Sequence, residues 1–268
     1  MEQLDGDGGR IQAKFTWANV AVASAFIFVN IAISGFMGLK LERPLFVSSF
    51  RCLIQLVIMG YILQYIFSMH SPYYVAFLTF VLIMLSTFET VFDKSERSWH
   101  GMFMSVFIST AFSTLLIGIL GTRWAMLQKP FWQAEVFVPT IGLLLGITTG
   151  SMAVALDSFL TEVGTNQGRI ETYLAYGATR FEASRTVAIE AVRLAMLPTI
   201  NRMSIVGLIT IPGTMTGQIL SGAPIMNAVR YQMIISFMIS AASGLAVLSV
   251  IAVSFPWSTQ PEKILTSF

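Results

Sequence analysis

The chain has 268 residues, 55% of them hydrophobic and 11% charged, with a mean hydropathy of +0.72; a water-soluble fold this apolar would expose large greasy patches, so the composition is that of a bilayer protein. A net charge of +2 is too small to argue for nucleic acid or an acidic substrate, and Cys52 stands alone, which excludes an intrachain disulfide framework.

Residues 1–15 carry Glu2, Asp5, Asp7, Arg10 and Lys14 in place of a basic n-region and cleavage site, so they are expected to be an extracytoplasmic tail and the first apolar segment a retained span. Apolar stretches long enough for about 30 Å of hydrocarbon, about 20 residues each, fall at 16–39, 46–69, 73–91, 102–121, 136–159, 199–222 and 231–254. None alternates as a barrel strand does, so the expected fold is an all-α integral membrane protein of about seven transmembrane helices plus a cytoplasmic amphipathic helical segment. A single transmembrane domain over 16–259 would contain that segment at 160–198, with 260–268 as a cytoplasmic C-terminal tail. Lys40, Arg43, Lys94, Arg97, Arg169, Arg180, Arg185, Arg193 and Lys263 lie on one side, against Arg10, Lys14, Arg123, Lys129 and Arg230 on the other. The richer side is read as cytoplasmic. The membrane is expected to be a plasma membrane or an endomembrane such as the vacuolar one.

In 160–198, Val187, Ala191, Leu194 and Ala195 share one helical face, and Glu182, Arg185, Glu190 and Arg193 surround the other. Gly177 is expected to divide the segment into two short helices and Pro198 to mark the start of the sixth span. Gly142, Gly146 and Gly150 in the fifth span, Gly213 and Gly217 in the sixth, and Ser236, Ser240 and Gly244 in the seventh form small-residue ridges suited to close helix packing. Arg51, Glu89 and Asp157 reach similar depths in their spans and are expected to form a buried polar cluster, extended by Gln55 one turn deeper. With only His70 and His100, no HExxH pair or zinc site of His and Cys can be built, and there is neither a GxSxG elbow nor a GxxxxGK[ST] loop. The chain is therefore expected not to be an enzyme and to hold no cofactor of its own; a metal site is not specified by the residues.

The stretch "YLAYGATRFEASRTVAIEAVRLAMLPTINRMSIVGLITIPGTMTGQILSGAPIMNAVRYQ", with "SFRCLIQLVIMGYILQYIF" upstream, resembles the FetB-type permeases. That integral-membrane family includes a bacterial iron-export ABC permease and plant aluminium-tolerance membrane proteins. The resemblance implies a permease subunit whose ATP is bound by a separate nucleotide-binding ATPase, with iron as the cargo in bacteria and a sugar nucleotide or another aluminium-protective solute in plants. "ETYLAYG", Glu171 to Gly177, is similar to the coupling loop of ABC importers, which reads EAA, three residues, then Gly; Thr172 and Tyr173 depart from it. Glu171, Gly177, Arg180, Glu182 and Arg185 are the expected coupling residues.

In "IPGTMTGQILSG", residues 211–222, Pro212 lacks an amide hydrogen and clashes with the carbonyl of Leu208, so the sixth helix is expected to kink or break halfway. Backbone freed at that depth needs protein or water partners. Gln55, Asn201, Gly213, Thr214, Thr216, Gly217 and Gln218 are the expected solute path. The leading reading is a permease exporting or sequestering a metal ion or small polar solute, working as at least a dimer in a lipid bilayer; the alternative is a membrane scaffold or regulator that holds a cytosolic partner.

Overall fold

The computed structural model describes residues 16–69, 71–94, 97–99, 101–254 and 264–266. The expected tails, apart from 264–266, and both histidines lie outside the described residues. In chain order the helices are α1 (Trp17–Met37), α2 (Glu42–Met69), α3 (Pro72–Phe88), α4 (Met102–Leu120), α5 (Ala134–Thr165), α6 (Gln167–Ala175), α7 (Arg180–Ile205), α8 (Gly213–Leu220) and α9 (Ile225–Ser254). π-helical turns, Glu89–Lys94 and Gly121–Ala125, continue α3 and α4, and a short antiparallel pairing joins Arg97–Trp99 to Ile264–Thr266.

Six of these helices, α1 to α5 and α9, are long and apolar enough to cross a membrane. The segment expected as the sixth span, 199–222, does not form one continuous helix: its first part completes α7 and its last part is α8. The fold class is nonetheless all-α and membrane-integral, as the composition requires.

The chain divides into two compact units, Met1–Tyr65 and Ile66–Phe268. In the first, α1 ends at Gly38, whose left-handed backbone (φ 66°) lets its N–H reach the Gly35 carbonyl. Ser34 pins the turn into α2. Its hydroxyl lies 3.1 Å from Glu42 Oε1 and accepts the Leu41 N–H at 3.1 Å. Most other side chains of α1 point outward and are apolar, as suits a helix solvated by lipid.

In the second unit α5 is the central helix, with α3, α4, α7 and α9 packed on it. The C-terminal half of α5 (Met152, Leu156, Phe159, Leu160, Val163) shares a buried cluster with Ala183 to Ala195 of α7 and with Ala246 to Ile251 of α9. Nearer the other end, Leu144 of α5 packs with Ile235, Met238 and Ala242 of α9. Thus α9 runs parallel to α5, and α7 runs antiparallel to both.

That packing corrects the reading of 160–198. Gly177 separates two helices as expected, α6 and α7, but the second is not short: α7 is one 26-residue helix that continues through Pro198, where a boundary was expected. Its buried stripe is Ala183, Ser184, Ala188, Ala191, Ala195 and Thr199, while Leu194 is exposed and Val187 only half-buried. Small side chains let α7 lie close against α5, and that packing offsets the backbone bond lost at Pro198, which faces away.

The glycine stripe of α5 behaves differently from the expected packing ridge. A Cβ at Gly142, Gly146 or Gly150 would meet no atom within 4 Å, whereas one at Gly118 in α4 would strike Ile141 and one at Gly121 would strike Met238. The close approaches therefore run through α4. Gly142→Ala and Gly146→Ala are expected to leave the unfolding midpoint of the purified chain unchanged or slightly raised, because alanine is favoured over glycine in a helix interior by about 1 kcal/mol. A pronounced drop in the midpoint contradicts an open face.

Candidate functional site

The helix break does not fall where proline alone predicts it. α7 ends at Ile205, and Gly207 takes a left-handed conformation (φ 91°) that closes a turn in which its N–H meets the Thr210 carbonyl at 3.0 Å. Pro212 then serves as the N-cap of α8, where its missing N–H costs nothing, so it begins a helix and does not kink one. The Thr216 N–H and hydroxyl both donate to the freed Pro212 carbonyl, at 3.0 and 3.2 Å. Gly207→Ala forces a side chain into the left-handed region at a cost of about 1–2 kcal/mol; the expected result is a lower unfolding midpoint than that of Gly213→Ala, whose site is open.

Beside this break lies a cavity of about 170 Å³. Leu143 and Ile147 of α5 and Ile239 of α9 supply apolar wall, and Met203 and Val206 close the α7 side. The polar wall is Thr199 and Arg202 of α7, Gly213 and Thr214 of α8, and Gln232 and Ser236 of α9. Gln232 is 8% exposed; its Oε1 accepts from the Thr214 hydroxyl and its Nε2 donates to Ser236 Oγ at 3.3 Å. This chain of bonds ties α8 to α9, the helix it packs on. At about 1.5 Å per residue, the cavity sits about 14–20 Å along α5 and about 10–21 Å along α9 from their first residues, well inside two helices capable of crossing a membrane.

Of the expected path residues, Gly213 and Thr214 line the cavity. Thr216 serves the Pro212 carbonyl, Gly217 and Gln218 lend carbonyls to the turn after α8, and Asn201 is exposed on α7 away from the lining. Gln55 and Arg51 belong to the first unit, and Glu89 and Asp157 to the second. Glu89 opens the π-helical turn after α3; Asp157 is half-buried on α5, and its Oδ1 accepts no hydrogen bond among the described residues. The sequence reading missed Thr199, Arg202 and Gln232. The signal for Gln232 was present as an uncharged polar residue within an apolar span, the criterion that had selected Gln55.

The expected coupling residues gather at the α6–α7 turn. Glu171 accepts from Gln167 Nε2 at 2.8 Å, Gly177 (φ 90°) reverses the chain, and Arg180 and Arg185 stand exposed on the first turns of α7. Thr179 and Glu182 form a capping box: Glu182 N–H donates to Thr179 Oγ1, and the Thr179 N–H donates to Glu182 Oε2 at 2.8 Å. Tyr173, Tyr176 and Phe181 are exposed around them, with Arg169 over the Tyr173 ring. Hydrogen bonds from the Thr179 backbone and then its side chain hold the Glu182 carboxyl below its ordinary pKa. A lowered carboxylate pKa stabilises the fold above the usual carboxylate range, and that contribution is lost as pH falls through the lowered value. Amide exchange at Thr179 and Glu182 is therefore expected to accelerate, beyond the intrinsic change, below that range in the native chain but not in Glu182→Gln.

Over residues 17–256 the chain matches the family described as "Uncharacterised protein family (UPF0014)". The chain belongs to that family. It is 28% identical to UPF0014 membrane protein slr1647 of Synechocystis, over 94% of this chain and 97% of that protein. It is 29% identical to the probable iron export permease protein FetB of Escherichia coli, over 88% and 89%. Against the Arabidopsis thaliana protein ALUMINUM SENSITIVE 3 the identity is 24%, over 85% and 82%. No solved structure matches. Six span-capable helices and membership of this family make the chain a multi-pass integral membrane protein.

Proposed function

We propose that this UPF0014 protein is the permease subunit of an ABC-type transporter, exporting or sequestering a metal ion or small polar solute, with its ATPase on a separate chain. The observation that carries the reading is the broken α7–α8 segment, whose Pro212–Thr214 end lines a polar cavity beside apolar, span-capable helices. Irregular backbone at such depth is tolerated where it lines a cavity or is buried in protein. α7 joins this cavity directly to the exposed, charged and aromatic α6–α7 turn, so one rigid helix links a docking face to a solute site. The names of FetB and of the aluminium-sensitivity relative support transport and a link to iron or aluminium.

On this reading the α6–α7 turn meets the ATPase through Arg180, Arg185 and the exposed aromatics, and at least two copies of the chain build the full path. Purification of the native protein from its own membrane tests it. The expected result is a bound nucleotide-binding chain that is lost on Arg180→Glu with Arg185→Glu. Transport that persists without any ATPase makes the protein a secondary or passive carrier; a bound cytosolic protein without ATPase activity and without transport makes it a scaffold.

A further inference from the structure

We infer that the cavity at the α7–α8 break takes an oxyanion, through Arg202, and not a bare metal cation. The inference rests on the reading of this cavity as part of the solute path and names the chemistry of what it holds.

Arg202 is exposed on the last turn of α7 and borders the cavity together with Leu143 and Ile147 of α5, positions far from either end of that span-capable helix. An arginine at such depth is costly and is ordinarily paired or functional. The Arg202 guanidinium has no hydrogen-bond or ion-pair partner among the described residues, and no carboxylate lines the cavity it borders. A guanidinium is a fork of N–H donors that matches the oxygens of a phosphate or carboxylate.

The rest of the polar wall agrees. The Thr199 hydroxyl and the second N–H of the Gln232 amide offer donors, the Thr214 and Ser236 hydroxyls donate to Gln232 and add neutral dipoles, and the wall holds no imidazole, thiol or carboxylate. Among the described residues no group of three or more His, Cys, Asp and Glu is placed to hold a metal. Met203 alone brings a soft donor, which is too little to strip water from a hard ion. A positive charge without a counter-charge repels a free cation and attracts an anion. A metal passing this point would do so bound to an anionic ligand.

The test uses the purified full-length chain in detergent, titrated with sodium phosphate against sodium chloride at equal ionic strength, with the thermal unfolding midpoint as readout. The expected result is a rise with phosphate beyond that with chloride, with Arg202→Gln needing about tenfold more phosphate for the same rise, as loss of a charge-assisted hydrogen bond implies, and Arg202→Lys falling between. No rise beyond chloride, or equal responses in the native chain and Arg202→Gln, overturns the assignment. If Arg202→Gln yields no folded protein, Thr199→Val and Ser236→Ala take its place: severalfold weaker responses support the site, and unchanged ones overturn it. A phosphate response in a protein that carries no ATPase keeps the oxyanion site and removes the ABC reading; a bound ATPase with no phosphate response does the reverse.

Discussion

Replacing Ala191 or Ala195 with leucine is expected to destabilise the second unit by about 1–3 kcal/mol, and by more if α7 is displaced, because both positions are 0% exposed and overpacking forces the backbone apart. The small-residue stripe of α7 shares one buried cluster with large side chains of α5, Phe159 and Leu156 among them, so a further isobutyl group must displace packed neighbours. Ile189→Leu on the exposed face of α7 supplies the control and is expected to fall within about 0.5 kcal/mol of the native chain. Thermal unfolding in detergent checks both. A tolerated Ala191→Leu contradicts the close α5–α7 packing, and with it the rigid link between the α6–α7 turn and the cavity.

Gln232→Leu is expected to have the larger effect on function. Gln232 accepts from Thr214 and donates to Ser236, so leucine cuts the tie between α8 and α9 and puts an apolar side chain into the cavity wall. The loss of net hydrogen bonding costs about 1 kcal/mol of stability, a modest change that leaves the fold in place. The proposed solute site, however, loses its central polar group, and transport is expected to fall by about tenfold or more, the factor that a further 1.4 kcal/mol implies. Gln218→Leu, on α8 but outside the lining, is expected to stay within about twofold of the native rate, which is under 0.5 kcal/mol on the same scale. Efflux or accumulation of the transported solute in cells that carry each variant at matched expression distinguishes the two glutamines.

The contrast between these glutamines shows what could be read from the residues. Hydropathy located every continuous span-capable helix, because apolar runs of the required length have few other uses, and Gly177 was legible as a divider because no other feature interrupts that amphipathic stretch. α7 was harder. Its buried stripe is alanine, serine and threonine, whose hydropathy is too low to distinguish a packed helix from a solvated one, and its exposed face is charged. Pro198 then looked like a boundary because its local effect is helix-breaking, while the tertiary packing that overrides it involves residues of α5 far along the chain. The break itself was expected near Pro212 but is made by Gly207, and which glycine takes a left-handed backbone depends on the turn it must close. Arg202 and Gln232 became visible as a pair only when α7 and α9 were seen to meet beside α5.

Cysteine accessibility at Thr214 tests the central claim most directly, because Cys52 is the only native cysteine and is easily removed as Cys52→Ser. In that background Thr214→Cys is expected to react with a membrane-impermeant thiol reagent in the intact protein, and the modified protein is expected to lose transport, since the side chain borders the cavity proposed as part of the solute path. A Thr214→Cys protein that transports normally and stays inert to the reagent, both at rest and during turnover, would place the solute path elsewhere and contradict the account.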